Sequence, residues 1–98
     1  MTETQFTDRV IQTATLFGWL VCHFRPARTE RGWRTAIQGD SGFPDLVLAR
    51  GGVVLFRELK VGTKKPRPDQ VSWGEAIGET YGLWYPDDWD EIVQTLRR

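Results

Sequence analysis

The chain has 98 residues, of which 40% are apolar, with five Trp and five Phe, so residues 1–98 suffice for one small globular domain near the lower limit for a self-sufficient core. Thirteen basic and thirteen acidic side chains cancel to a formal net charge of zero, which argues against a strongly basic nucleic-acid binder. A single cysteine excludes an intrachain disulfide, and the absence of a signal peptide or a long apolar run argues for a cytoplasmic protein with no membrane partner.

Thr2-Glu3-Thr4-Gln5 fits a capping box, with Thr2 as N-cap and Gln5 at N3. The spacing predicts a helix burying Phe6, Val10, Ala14 and Phe17 and ending at Gly18. Glu3 projects from the same inward stripe. It serves either as a ligand at a site beneath the helix or as an acid at the positive end of the helix dipole. Residues 19–24 read as a strand. Alternation around Cys22 suggests a buried structural thiol rather than a nucleophile, and His23 reads as a structural strand histidine, the alternative being a contact to substrate.

Residues 25–44 form a long connection carrying Arg25, Arg28, Arg31, Arg34 and Trp33. Connections of this length are functional or disordered in compact domains. Arginine interleaved with tryptophan suits phosphate contact and base stacking; a solvated surface loop accounts for the same composition. With Lys64, Lys65 and Arg67 further on, the positive charge is concentrated in two stretches, and a run of acids after Pro86 balances it. A segregated field steers a polyanion even when the sum vanishes.

Residues 44–60 are the most informative. Two apolar runs flank Gly51-Gly52, the signal of a tight hairpin. That turn opposes Arg50 to Val53, Leu48 to Leu55 and Asp45 to Glu58, and directly opposed side chains share a face about 5 Å apart. Lys60, two residues past Glu58, falls on that face too. Glu-Leu-Lys alone also fits an exposed edge strand with a Glu/Lys pair. The hairpin, however, is apolar on both faces, as expected of one covered above and below. Opposed carboxylates at the end of such a hairpin call for a cation between them. Mg²⁺, which takes a few carboxylate oxygens and keeps several waters, is the natural occupant.

After Lys60 a basic turn leads through Pro68 into a helix with Trp73, Ile77 and Tyr81 inward, where Gly74 and Gly78 permit close approach and Gly82 ends it. Gln70 lies on the inward stripe, placed either to orient a water or phosphate or to cap the sheet edge. Residues 83–85 read as a short strand, and Pro86-Asp87-Asp88 caps a last helix burying Trp89, Ile92, Val93 and Leu96. The fold class is therefore α/β: helix, strand, hairpin, helix, strand, helix, with a mixed central sheet flanked by helices.

That order, with Pro44-Asp45 opening one strand and Glu58-Leu59-Lys60 closing the next, resembles the PD-(D/E)XK (restriction-endonuclease-like) nuclease superfamily. Gly42-Phe43-Pro44-Asp45-Leu46, Glu58-Leu59-Lys60 and Gln70 followed by Trp73 look like its virus-type replication-repair nuclease (VRR-NUC) family. Thr2-Glu3 with Phe6, and Gly18-Trp19 followed by His23, fit the small standalone phage or bacterial members. The resemblance implies that Asp45 and Glu58 ligate Mg²⁺, with Mn²⁺ able to substitute. The Leu59 carbonyl and Glu3 are further ligands, Lys60 positions the attacking water or stabilises developing charge, and Gln70 is the glutamine of the second helix. It also implies a homodimer cutting branched DNA such as four-way junctions, in the host cytoplasm if phage-encoded. Two other readings stand beside it: a nucleic-acid-binding module of the same fold without cleavage, and a flap- or nick-directed nuclease. In a third, a fold-only structural or partner-binding protein, the five tryptophans form an interface; for the homodimer the interface candidates are Trp84, Tyr85 and Trp89.

Overall fold

A computed structural model describes residues 1–24, 27–29, 32–34 and 38–98. The elements run α1 (Glu3–Leu16), β1 (Leu20–His23), β2 (Ala27–Thr29), β3 (Gly32–Arg34), β4 (Leu46–Arg50), β5 (Val53–Leu59), α2 (Pro68–Ile77), β6 (Tyr81–Trp84), a 3₁₀ turn (Pro86–Asp88) and α3 (Trp89–Arg97). The main sheet has four strands in the order β1-β4-β5-β6. The first two pairings are antiparallel and the last parallel, so the sheet is mixed. Among the described residues no helix is long and apolar enough to cross a membrane.

Local signals place the first helix as expected. Thr2 Oγ1 accepts from the Gln5 N–H at 3.1 Å and the Gln5 side chain accepts from the Thr2 N–H at 2.9 Å, a closed capping box. The helix ends at Leu16, and Gly18 turns the chain at φ +86. Phe6, Val10 and Ala14 are fully buried. Phe17 packs against the core from its margin.

The hairpin has the expected register: Arg50 pairs with Val53, Leu48 with Leu55 and Leu46 with Arg57. One face, with Leu46, Leu48 and Leu59, meets Phe6, Val10 and Ala14 of α1 and Ile92 and Leu96 of α3 in a single core. Burying each of the larger side chains contributes about 1.5–3 kcal/mol relative to exposure. Arg50 ties the far end together. Its Nη1 donates to the Phe17 and Leu96 carbonyls, both at 2.9 Å, and its guanidinium lies 4.4 Å from the Trp19 ring centroid. Both carbonyls belong to helix C-termini, where a cation is favoured.

Several expectations are corrected. The second hairpin face is covered only at one end: Val47, Ala49 and Phe56 are half-buried and Val54 is exposed, because α2 reaches only part of the sheet. On the same face of edge strand β1, Cys22 is exposed rather than buried. Residues 25–44 are not one irregular connection, since β2 and β3 pair as a second hairpin.

The second helix ends earlier than expected, at Ile77, with Gly78 at φ +82. Tyr81 and Gly82 therefore lie in β6, not in the helix, and Trp73 and Ile77 are half-buried. Gly74 does serve close approach, since a Cβ there would stand 2.6 Å from the Tyr81 ring. Gly82 serves another purpose: it makes room for Arg57, whose Nε would lie 2.9 Å from an added Cβ. Arg57 is buried, lies 4.7 Å from the Trp84 ring centroid and donates from Nη1 to the Phe56 and Thr80 carbonyls. Burial lowers its pKa, and Glu91 opposes that shift. Trp84 belongs to the core at 3% exposure, so it is no interface residue. Trp89 and Val93 flank the buried Ile92 and Leu96 at half-burial, and the Arg9 guanidinium stacks 3.9 Å above Trp89.

Candidate metal centre

The site forms where β4 begins and β5 ends. Pro44 is fully buried just before β4 and, having no N–H, cannot extend the ladder. Asp45 continues it with its side chain, as Oδ2 accepts from the Leu59 N–H at 2.9 Å. Its backbone carbonyl accepts from the Phe24 N–H at 3.1 Å, tying β1 to the same point. The register Leu46↔Arg57 carried one step further opposes Asp45 to Glu58, as the sequence implies.

Glu58 is 1% exposed. Its Oε2 accepts from Gln70 Nε2 at 2.8 Å and lies 3.4 Å from Lys60 Nζ. Its Oε1 is buried with no hydrogen-bond partner. Burial first, and then the neighbouring Asp45 carboxylate, push the Glu58 pKa up to about 8, against the pull of Lys60. Tyr81, across on β6, senses the same field: burial, then Glu58 and Asp45, raise its phenol pKa. Lys60 itself is 8% exposed. Two carboxyl groups and one lysine thus meet at the sheet end, Glu58 and Lys60 buried and Asp45 half-buried.

Gln70 bonds the start of its own helix and the Glu58 carboxyl, rather than a sheet-edge backbone group. As residue N3 of α2, its Oε1 accepts from the Arg67 N–H at 2.8 Å, one half of a capping box, while Nε2 orients Glu58. It is the buried residue of α2. Helix-start chemistry therefore aims the amide at the sheet.

The remaining expected site residues are placed as follows. Glu3 opens α1, half-buried, and does not complete a cluster with Asp45 and Glu58: among the described residues, no group of three or more His, Cys, Asp or Glu is arranged to hold a metal. Lys64 and Lys65 are exposed in the turn after β5, and Lys65 lines an open groove of about 820 Å³ shared with Met1, Tyr85 and Asp87. The Arg67 Nε lies 3.3 Å from Asp69 Oδ1, which occupies part of its charge. Arg25 and Arg31 lie outside the described residues, as do the side chains of Arg28, Trp33 and Arg34.

Sequence reasoning missed Ser41 and Asp69. Ser41 Oγ donates to Asp69 Oδ2 at 3.0 Å, and this bond, followed by the Arg67 charge, holds the Asp69 carboxyl below its usual range. A signal exists in Pro68-Asp69-Gln70, a helix start with an acid in its first turn, but its partner lies 28 residues upstream. Phe43, between these elements, meets Phe24, Phe56 and Trp73 edge-on at 5.3, 6.0 and 5.0 Å between centroids.

The donor chemistry fits a hard divalent cation. A buried, orphaned carboxylate oxygen is costly unless something positive meets it. Mg²⁺ is held by one or two carboxylates with water completing its shell. Comparison with protein-family models, curated proteins and solved structures returns no match.

Proposed function

We propose that this protein is a Mg²⁺-dependent DNA endonuclease with a PD-(D/E)XK core of the VRR-NUC kind, cutting branched DNA such as four-way junctions. One observation carries the reading: Glu58 Oε1 is buried and unpartnered, and Asp45 stands opposite on the neighbouring strand. In this reading Asp45, Glu58 and the Leu59 carbonyl hold the cation, which when bound supplies a Lewis acid for the phosphoryl oxygen and an acidified water.

The protein's own groups do the rest. Gln70 pins Glu58 through Oε2 and so presents Oε1. The Asp45 carboxylate is pinned by the Leu59 N–H through Oδ2, leaving Oδ1 for the cation. Lys60, buried beside Glu58, sets a fixed positive charge where negative charge develops on the phosphate. With Glu58 ionised by a bound cation, two carboxylates, one ammonium and the dication sum to one positive charge, so the loaded site attracts a phosphodiester. Lys64, Lys65 and the arginines of residues 25–34 bind the DNA backbone.

Symmetric cutting of a four-way junction needs two sites, which a twofold homodimer supplies. Incubating the protein with labelled four-way junction, flap and linear duplex, with Mg²⁺, Mn²⁺ or EDTA, tests the reading. Metal-dependent paired cuts in the junction are expected, and light scattering should give the mass of a dimer. Cutting of the flap alone by a monomer would select the flap-directed alternative. Binding without cleavage under every metal would leave a DNA-binding module and refute the enzyme.

A further inference from the structure

The loop before Asp45 is fastened to the start of α2 more tightly than a connection needs. Ser41 Oγ donates to Asp69 Oδ2 at 3.0 Å, and the Gln70 N–H donates to Asp69 Oδ1 at 2.9 Å. Trp73 Nε1 donates to the Ser41 carbonyl at 2.9 Å. Between these bonds the two backbones touch. A Cβ on Gly42 would stand 2.6 Å from the Asp69 carbonyl carbon and 2.9 Å from the Gln70 nitrogen, and Gly42 has φ +96. Only glycine meets both demands, since such φ values are strained for other residues and the obstructing atoms are backbone.

The consequence lies three residues past Gly42 and one residue past Asp69. Downstream of Gly42 the loop runs into Pro44 and Asp45, one carboxylate of the centre. Next to Asp69, Gln70 holds the other carboxylate, Glu58, at 2.8 Å. One junction between loop and helix therefore fixes both carboxylates relative to each other, although they sit on different strands and one is oriented from a helix.

We infer that Asp69 is a positioning residue of the metal centre, latching the Ser41–Gly42 loop to the α2 start so that Gln70 holds Glu58 with Oε1 turned toward the cation. This rests on the reading of Asp45 and Glu58 as metal ligands. An ordinary acid in a first helical turn also favours the helix dipole, but that role needs neither Ser41 nor a glycine pressed against its carbonyl.

The test uses the full chain with Asp69→Ala, Asp69→Asn and Ser41→Ala. Asparagine keeps an oxygen for the Gln70 N–H and an amide for Ser41, so it separates the latch from the charge. The first readout is the Gln70 side-chain amide in ¹⁵N spectra. Slow solvent exchange and a shifted resonance are expected in the wild type and Asp69→Asn, and free-amide values in Asp69→Ala, with Ser41→Ala between. The second is Mn²⁺ affinity by calorimetry, expected to fall about tenfold to a hundredfold in Asp69→Ala, the range for residues that orient metal ligands. Wild-type amide signals in Asp69→Ala would overturn the latch, as would equal losses in Asp69→Asn and Asp69→Ala. If the wild type itself bound no Mn²⁺, the metal reading would fall on its own, and the Gln70 amide would still decide the latch. Should Asp69→Ala fail to fold, Ser41→Ala, an exposed position, carries the same two readouts.

Discussion

Gln70 Nε2 donates to Glu58 Oε2 across the gap between α2 and β5 at 2.8 Å, and the other Glu58 oxygen is left buried without a partner. A carboxyl group met by an amide and the Lys60 ammonium at one oxygen and orphaned at the other is a poor structural device, because an unmet buried acceptor costs about 1–3 kcal/mol. It is a good ligand, because the cation supplies what the fold withholds.

Removing either carboxylate tests that directly. Glu58→Gln and Asp45→Asn should each lower metal-dependent cleavage by more than about a hundredfold, beyond the loss usual for residues that only orient ligands. The two substitutions at Asp45 should differ in stability. Asp45→Ala strands the Leu59 N–H, which Asp45 Oδ2 now accepts, and should cost about 1–3 kcal/mol, whereas Asp45→Asn keeps an acceptor. Cleavage at wild-type rates in saturating Mg²⁺ would remove these residues from the site.

Stability should depend on pH in an unusual direction for a carboxylate. The Glu58 pKa rises from 4.5 to about 8 on folding. Between those values the folded chain holds a proton that the unfolded chain has released. The stabilising contribution is therefore full below about pH 4.5 and is lost as pH rises through about 8, a change on the order of a few kcal/mol. Thermal melts of the metal-free protein should show Tm falling from pH 5 to pH 8. Mg²⁺ should restore it at the alkaline end, and Glu58→Gln should flatten the profile.

Gly74→Ala should destabilise although alanine is the better helix former. Propensity favours the change by about 0.5–1 kcal/mol. The new Cβ meets the Tyr81 ring at 2.6 Å, and overpacking of this kind costs about 1–3 kcal/mol. A net loss of about 1 kcal/mol lowers Tm by about 4–8 °C in a domain of this size. A rise in Tm would mean that α2 rides up from the sheet without resistance.

DNA binding should be sensitive to salt in proportion to its cations. Replacing Arg28, Arg31 and Arg34 with alanine should weaken binding and reduce the log–log salt slope by about one unit for each phosphate no longer neutralised. Fluorescence anisotropy across a salt series measures it, and an unchanged slope would assign that stretch to solvent.

Much of the site is legible in the sequence because it depends on strand alternation. Once Gly51-Gly52 sets the turn, the pairing of Leu48 with Leu55 is counting, and Asp45, Glu58 and Lys60 fall on one face. The capping box at Thr2 and Gln5 is equally local. The early end of α2 is local, set by Gly78 at φ +82; Cys22 and Trp84 depart from expectation for one shared reason. Alternation and helical spacing state that a residue has neighbours on one side, but not which side another element covers.

Turn chemistry and a period of two or 3.6 along adjacent residues are enough for the α/β order, the hairpin register and the carboxylate pair, because each depends on near neighbours in the chain. Packing alone brings α2 over Glu58 while leaving Val54 bare, makes Gly82 the room for Arg57, and sets Ser41 against Asp69. Those meetings join segments far apart in the chain, and their energies depend on how the layers stack.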